Sequence, residues 1–256
     1  MPTTGKAPSC NGKILVLRAR LSEVILTRRL AHRFPFDNRA VPIRAALYTY
    51  SMQAHAPERL NYEQLLEQEN SSPVRHEYIG GRLFTMAGGT PRHAHVIANV
   101  TTAIHGRLRG KPCRGASGDQ RVRTSETASN WVYPDFLIVC PPQRYGTRDK
   151  NALLNPSAVF EVLSPETERF DRTAKFDEYA LIPELTDYVL ISLDFVRVEH
   201  FRRLDNGGWE ARFAHDLSGE LRLDNFEISV PLAEIYEDIA VETQGVLSLF
   251  RETLES

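Results

Sequence analysis

The sequence predicts an α/β fold in which a mixed β-sheet is flanked by helices. Two stretches, 132–140 and 157–167, are rich in Val, Ile, Leu and Phe and predict neighbouring buried strands. Near-continuous apolar runs of this kind are typical of strands that are covered on both faces. Hairpin signals alternate with helical patterns along the chain, so hairpin and crossover connections are both expected. A chain of 256 residues, 42% of them hydrophobic, can bury one sizeable core.

Three segments of the chain differ in composition. Residues 1–51 contain nine Lys and Arg against two acidic residues. We expect a basic N-terminal extension outside the fold, with a transit peptide or a phosphate-contacting arm as alternatives. Residues 52–240 are expected to form the domain, and residues 241–256 a C-terminal tail. The net charge of the whole chain is −2, so taking away the +7 of the extension leaves −9 on the remainder. That acidic balance argues against a broad non-specific grip on nucleic acid.

The predicted domain opens with a helix, a hairpin and a longer helix. Asn61 is the expected N-cap of a helix over 61–70. Gly80-Gly81 predicts a two-residue hairpin turn. The longer helix is expected from Thr90 to Arg109, and its apolar positions form one stripe, which consists of Val96, Val100, Ala103, Ile104 and Leu108.

The middle and the end of the domain alternate strands, helices and turns. A turn-rich break over 111–120 precedes a strand over 121–126, and the polar stretch 141–156 predicts a mobile loop between the two buried strands. A helix follows over about 168–181. Four-residue spacing stacks three of its polar residues on one face, namely Asp171, Lys175 and Tyr179. The last predicted elements are a buried strand at 187–193, a hairpin around 205–208, and a closing strand with a short helix at 226–239.

Cysteine content and hydropathy indicate where the protein resides. Cys10, Cys113 and Cys140 are too few and too scattered to predict a disulfide framework or a Cys-based zinc site, which fits a reducing compartment. No apolar run approaches the ~20 residues that cross a bilayer, so no membrane segment is expected. Together these observations predict a cytoplasmic protein.

Each of the two buried strands carries one carboxylate inside its apolar run, Asp135 in the first and Glu161 in the second. An ionised carboxylate in a dry core costs several kcal/mol unless a cation meets it. Two such residues on neighbouring strands therefore favour a shared divalent metal ion. Mg²⁺ prefers oxygen ligands, activates bound water and stabilises charge that builds on a phosphate. Lys175 can add an ammonium group, and Glu77 a third carboxylate.

From spacing alone, a purely structural interpretation of these acids stays open. Asp135 can cap a strand end beside Pro134, and Glu161 can form a buried ion pair with Lys175. Glu77 can equally face solvent from its hairpin strand. These alternatives require no metal and no reaction.

Two histidines, His93 and His95, lie near the start of the long helix. Residues two apart on a helix do not share a face, so a joint metal site is not favoured. We expect both to be polar residues that are satisfied locally. A zinc hydrolase that uses the pair is retained as the weakest hypothesis.

The motifs resemble a known family. Pro134-Asp135 followed by Glu161-Val162-Leu163 resembles the PD-(D/E)xK nuclease signature. The segments HEYIGGRLFTMAG, AVFEVLSPET and ELTDYVLI, in this order, are similar to the Uma2 family of restriction-endonuclease-like proteins over about residues 58–240. Leu163 departs from the general signature, which has a lysine there; in Uma2 relatives that lysine is moved to the following helix, which indicates Lys175.

This resemblance implies a restriction-endonuclease-like core, DNA as substrate and a Mg²⁺ site in which Mn²⁺ substitutes. Asp135, Glu161 and, less directly, Glu77 would be metal ligands, with the carbonyl of Val162 as a further one. Asp135, Glu161 and Lys175 would be the catalytic residues. Nucleases of this type often act in pairs, so a homodimer is expected.

Two functions of different classes follow. The first is a Mg²⁺-dependent DNA endonuclease that hydrolyses phosphodiester bonds with a metal-activated water. The alternative is a non-enzymatic nucleic-acid-binding or regulatory module that retains the nuclease fold, and the acidic charge of the main body favours it. No phosphate-cradling loop with a GK[ST] sequence is present, so nucleoside triphosphate use is not expected.

Overall fold

The computed structural model describes residues 15–17, 54–55, 60–86 and 88–241. Its strands are β1 Leu15–Leu17, β2 Ala54–His55, β3 His76–Ile79, β4 Arg82–Thr85, β5 Arg114–Ser117, β6 Arg121–Val122, β7 Phe136–Val139, β8 Ala152–Leu153, β9 Pro156–Leu163, β10 Asp187–Ser192, β11 Val198–Arg203, β12 Trp209–Ala214, β13 Glu220–Leu223 and β14 Ile228–Pro231. Its helices are α1 Tyr62–Ser71, α2 Pro91–Leu108 and α4 Leu232–Ile235, together with α3, a continuous run of α-helix Glu168–Phe170, π-helix Asp171–Lys175 and α-helix Phe176–Tyr179. A 3₁₀ turn spans Asp224–Phe226.

A mixed sheet of seven strands, in the order β1-β12-β11-β10-β9-β7-β5, is the centre of the fold. Only β9 and β10 are parallel among its neighbouring pairs, and α3 is the crossover between them. The predicted α/β class with a mixed sheet flanked by helices is confirmed. Three smaller sheets, β2-β4-β3, β13-β14 and β6-β8, pack around the main one.

Helices cover both faces of the main sheet. On one face α2 buries the predicted stripe against β7 and β9 and against the β13–β14 hairpin with α4. On the other face α3 packs Phe176 and Tyr179 against residues of β7, β9 and β10. Two covered faces explain why the strands around Asp135 and Glu161 are almost continuously apolar.

Local signals set the N-terminal elements. The Asn61 side chain accepts from the N–H of Gln64, whose side chain accepts in return from the N–H of Asn61, which is a complete capping box at the start of α1. Gly80 and Gly81 have φ angles of 58° and 79° and form the tight turn between β3 and β4, a conformation that glycine adopts without steric cost.

The segment 111–120 was predicted as a break and is in part a strand. Its residues Arg114–Ser117 form β5, which pairs antiparallel with β7 at the edge of the main sheet. The sequence RGAS has neither apolar alternation nor β-branched residues, so only the non-local pairing defines this strand. Conversely, the strand predicted over 121–126 is shorter in the structure, where only Arg121–Val122 (β6) is a strand.

Two cysteines meet across these edge strands. Cys113 directly precedes β5 and Cys140 directly follows β7, and they form a disulfide with a Cα–Cα distance of 4.1 Å. The cysteines were judged too scattered to predict a disulfide framework, and this single disulfide was missed because 27 residues separate its two cysteines. The argument from cysteine content for a reducing compartment therefore does not hold.

The stretch 141–156, predicted as a mobile loop, is anchored. The Asn155 side chain accepts from the N–H of Arg144 at 2.8 Å and donates to the carbonyl of Pro142 at 2.9 Å. Asp149 is buried and pairs with the equally buried Arg121 at 2.8 Å. Hydrogen bonds and an ion pair therefore hold the segment 141–156 near both of its ends and in its middle.

Most of the two flanking segments lies outside the described residues, namely 1–14, 18–51 and 242–256. Within the predicted extension, Leu15–Leu17 pairs with β12 at the edge of the main sheet. The predicted domain boundaries remain predictions. None of the helices in the described part of the chain has both the length and the apolar run that a bilayer crossing requires.

Candidate active site

The predicted carboxylates meet where β7 begins and β9 ends. The register pairs Phe136 with Phe160, and the strands are antiparallel, so the residues one step further out, Asp135 and Glu161, lie across from each other. The β3–β4 hairpin contributes Glu77 to the same place, and α3 contributes Lys175. Four separate elements therefore converge on one site.

Lys175 is the centre of this cluster. Its Nζ lies 3.0 Å from Glu161 Oε1, 3.1 Å from Glu77 Oε1 and 3.3 Å from Asp171 Oδ1. All four side chains are almost completely buried. An ammonium group has three hydrogens, so each carboxylate can accept one of them. The ion pair between Glu161 and Lys175 is thus present, within a larger network.

Glu77 is buried, which rules out the solvent-facing alternative. Its Oε1 also accepts from the backbone N–H of Tyr133 at 2.9 Å. Tyr78 forms an antiparallel bridge with Trp131, and this bridge holds β3 against the segment that leads into β7. Glu77 is therefore held by the backbone of the chain that carries Asp135.

The predicted polar face of α3 points into the site. Tyr179 Oη donates to Glu161 Oε1 at 3.1 Å, and Lys175 and Asp171 lie one and two turns earlier, respectively. Asp171 was singled out by its spacing only and had no predicted role. The segment Asp171–Lys175 is π-helical, a local feature that occurs frequently at functional sites. Tyr188 on β10 donates to the carbonyl of Asp171 at 2.8 Å and fastens this segment to the sheet.

Asp135 is held by partners other than Lys175. Its Oδ2 accepts from the backbone N–H of Val162 at 2.7 Å. His93 Nε2 lies 3.3 Å from the same oxygen and 3.1 Å from the carbonyl oxygen of Val162. His93 was expected to be satisfied locally, and this was wrong, because its partners lie on β9 and in front of β7. His95 is exposed and takes no part, in agreement with the expectation that the two do not share a face.

The cluster contains more negative than positive groups. Burial raises the pKa of Glu161 well above its usual value, against the lowering effect of Lys175, and the nearby Asp171 and Asp135 raise it further. Burial likewise raises the pKa of Glu77 and of Asp171, again opposed by Lys175. Burial opposes the charge of Lys175 itself, but its three acidic neighbours outweigh this effect, so its pKa is raised and it stays protonated. One ammonium therefore does not balance the surrounding carboxylates.

The excess of negative charge bears on whether a divalent cation suits the site. Carboxylate oxygens and a backbone carbonyl are the donors that hard cations such as Mg²⁺ prefer, and two added positive charges would offset the excess negative charge. Within the described parts of the chain, no three His, Cys, Asp or Glu side chains are grouped as a metal ion would require. Instead, three of the acids converge on the Lys175 ammonium. Donor chemistry and charge fit a hard divalent cation.

Fold and site together define a protein of the restriction-endonuclease-like class. A mixed sheet carries Asp135 and Glu161 at facing ends of adjacent strands, and a lysine reaches the second acid. A family model described as "Uma2: Putative restriction endonuclease" matches residues 61–233, and the chain belongs to this family.

Relatives and a solved structure agree with this assignment. Protein slr1290 of Synechocystis sp. (strain ATCC 27184 / PCC 6803 / Kazusa) is 31% identical over 193 residues, which cover 74% of this chain and 100% of the relative. Protein sll1609 of the same organism is 27% identical over 176 residues, covering 69% and 95%. The crystal structure of "a putative nuclease belonging to DUF820 from Anabaena variabilis ATCC 29413" superposes with a TM-score of 0.57 over 69% of this chain and 97% of that chain. At 15% identity this last likeness shows a shared fold.

Proposed function

We propose that the protein is a divalent-cation-dependent DNA endonuclease that hydrolyses phosphodiester bonds. The observation that supports this most is the convergence of Asp135, Glu161, Glu77 and Lys175 from four elements on one end of the sheet. Membership of the Uma2 family and the nuclease-like fold support the same reaction class.

Asp135 and Glu161 would hold the cation, Mg²⁺ or Mn²⁺ in its place, with Glu77 as an additional acid. When bound, such an ion supplies an acidified water and neutralises charge on the phosphate. The protein contributes the orientation of the ligands. The N–H of Val162 fixes one oxygen of Asp135, and Tyr179 and Lys175 both fix Oε1 of Glu161.

Lys175 is a positioning residue in the arrangement described here. Its three hydrogens are all directed at carboxylates, so it has none left for a water or a phosphate. Release of one of these carboxylates would free a hydrogen for the reacting phosphate. We therefore infer that Lys175 first holds the acids in place, and that it contacts the substrate phosphate only after one carboxylate has been released.

The proposed substrate is DNA, and the proposed assembly is a homodimer that cuts both strands. The alternative of a non-enzymatic nucleic-acid-binding module has one specific observation in its favour. Lys175 lies 3.0–3.3 Å from three of the acids, so part of their negative charge is compensated without a metal ion.

A plasmid-nicking assay separates the two functions. Supercoiled DNA is incubated with the protein in Mg²⁺ or Mn²⁺, with and without EDTA. We expect conversion to open-circular or linear DNA with cation alone, and its loss in Asp135→Ala and Glu161→Gln. Asp205→Asn, in the turn between β11 and β12, removes a carboxylate far from the site and is the matched control.

Circular dichroism confirms that each variant is folded before its activity is compared. Cleavage that survives in Asp135→Ala, or a wild-type protein that is inactive with every cation, would overturn the proposed function. DNA binding that is indifferent to EDTA and to both site variants would favour the non-enzymatic module.

A further inference from the structure

The His93 side chain contacts both the Asp135 carboxylate and the backbone carbonyl of Val162, two groups that do not contact Lys175. Its Nε2 lies 3.3 Å from Asp135 Oδ2 and 3.1 Å from the carbonyl oxygen of Val162. Both partners are acceptors, so Nε2 carries a hydrogen in this arrangement. A neutral imidazole has a single N–H, which both oxygens share here. The ring thus binds the same two oxygens that a cation would use.

The distances from His93 Nε2 to the two oxygens resemble those between neighbouring ligands around a cation. With metal–oxygen bonds of 2.0–2.1 Å and near-octahedral geometry, adjacent donors lie about 3 Å apart. The distances of 3.1 and 3.3 Å are close to this value. Imidazole nitrogen is also among the commonest metal ligands in proteins.

We propose that His93 is itself a ligand of the divalent cation, through Nε2, beside Asp135 and the carbonyl of Val162. The inference rests on the proposed function, because it concerns the cation of the same site. On binding, the single hydrogen of the neutral ring moves from Nε2 to Nδ1 by exchange with solvent, so the ring stays neutral and the Nε2 lone pair replaces the hydrogen bond. No electron transfer is involved.

The surroundings of His93 support this role by fixing the ring. Its backbone N–H donates to the Thr90 side chain at 3.2 Å, which sets the first turn of α2. A Cβ built on Gly89 would stand 2.6 Å from His93 Nδ1, so only a glycine at 89 lets the ring occupy this position. The Nδ1 edge is therefore adjacent to backbone, with Nε2 directed at the two oxygens.

A nitrogen ligand changes which cation the site prefers. Mg²⁺ is bound best by oxygen alone, whereas imidazole suits transition metals. The site should therefore bind Mn²⁺ more tightly than Mg²⁺, and His93 should be the cause. Substitution by Gln, which offers an amide oxygen, should reduce the Mn²⁺ affinity by about 10-fold or more and the Mg²⁺ affinity less.

Pulsed electron paramagnetic resonance on the Mn²⁺-loaded full chain tests this without any activity measurement. An imidazole ligand produces a ¹⁴N modulation in the spectrum of the bound Mn²⁺. We expect this modulation in the wild-type protein and in His95→Ala, the matched control two residues away, and its loss in His93→Gln and His93→Ala. Calorimetric titration with Mn²⁺ and with Mg²⁺ measures the two affinities in the same variants.

The outcomes separate this inference from the proposed function. If Mn²⁺ binds to the wild type in an Asp135-dependent way but without ¹⁴N modulation, His93 is a structural clamp only, and the proposed function is untouched. If no Mn²⁺ binds at all, the inference fails together with the metal dependence of the proposed function. The wild-type and His95→Ala spectra decide the question even if the His93 variants do not fold.

Discussion

Replacement of Lys175 by methionine tests the electrostatic account of the site most directly. Methionine keeps the apolar stem and removes the ammonium that lies within 3.0–3.3 Å of three carboxylates. Removing one partner of a buried ion pair usually costs about 3–5 kcal/mol, because an uncompensated charge stays in the interior. We expect Lys175→Met to lower the free energy of unfolding by an amount in this range.

The expected magnitude follows from opposing contributions. Two unit charges 4 Å apart attract by about 4 kcal/mol at an effective dielectric constant of 20. Three such attractions are partly offset by the desolvation of Lys175 and by repulsion among Glu77, Glu161 and Asp171. The expected net decrease in the free energy of unfolding is therefore a few kcal/mol. Glu77→Gln should therefore cost stability in the wild type and cost less, or stabilise, in the Lys175→Met background.

Urea unfolding followed by tryptophan fluorescence, in EDTA so that no cation contributes, provides these free energies. Lys150→Met is the control, because Lys150 is exposed and a surface substitution usually changes stability by no more than about 0.5 kcal/mol. A cost below about 1 kcal/mol for Lys175→Met would refute the reasoning, since exposed ion pairs reach that value. Equal costs of Glu77→Gln in both backgrounds would show that the ammonium and this carboxylate are not coupled.

Asn61→Ala removes the capping box of α1 and should cost about 1 kcal/mol in thermal or urea unfolding, with Asn61→Asp restoring most of it; an unchanged midpoint would contradict the role of the cap. Gly115→Ala would place a Cβ 2.5 Å from the Phe136 ring and should destabilise by about 1–3 kcal/mol. Gly106→Ala, on α2 with open space around it, should instead be neutral or stabilise by up to about 1 kcal/mol, and the opposite order of the two variants would refute the packing argument. Burial raises the pKa of Tyr133 to about 12, so the folded state holds this proton more tightly than the unfolded state does. Stability that is present below pH 10 should therefore decline as the pH rises towards 12, and Tyr133→Phe should reduce this decline in alkaline unfolding followed at 295 nm; an identical decline in the variant would contradict it.

Sequence patterns predicted the elements whose signals are local. The Asn61 cap, the Gly80-Gly81 turn and the stripe of α2 each depend on residues within one element, and the structure confirms all three. The strand Arg114–Ser117 has no such signal, because its identity comes from pairing with β7. The same is true of the Cys113–Cys140 contact. Local rules therefore identified helices and hairpins but not the edge of the sheet.

The candidate site divides in the same way. Carboxylates in apolar runs are conspicuous, so Asp135 and Glu161 could be singled out before any coordinates. His93 was considered only as a pair with His95, and its contact with this site was missed because its partners are distant in sequence, 42 residues away at Asp135 and 69 at Val162.

The position of the lysine connects the assembly of the site to the packing of the fold. In the general signature the lysine follows the second acid on the same strand and the same face, two residues on. Here that position is Leu163, which is buried in the apolar cluster beneath α3. The ammonium arrives instead from Lys175, on a helix whose π-helical turn is fastened by the hydrogen bond from Tyr188 to the carbonyl of Asp171. A lysine on the strand would be positioned by the sheet alone, whereas Lys175 is positioned only when α3 is packed against the sheet. Undocking of α3 would therefore withdraw the Lys175 ammonium and leave the buried acids unpaired at the same time.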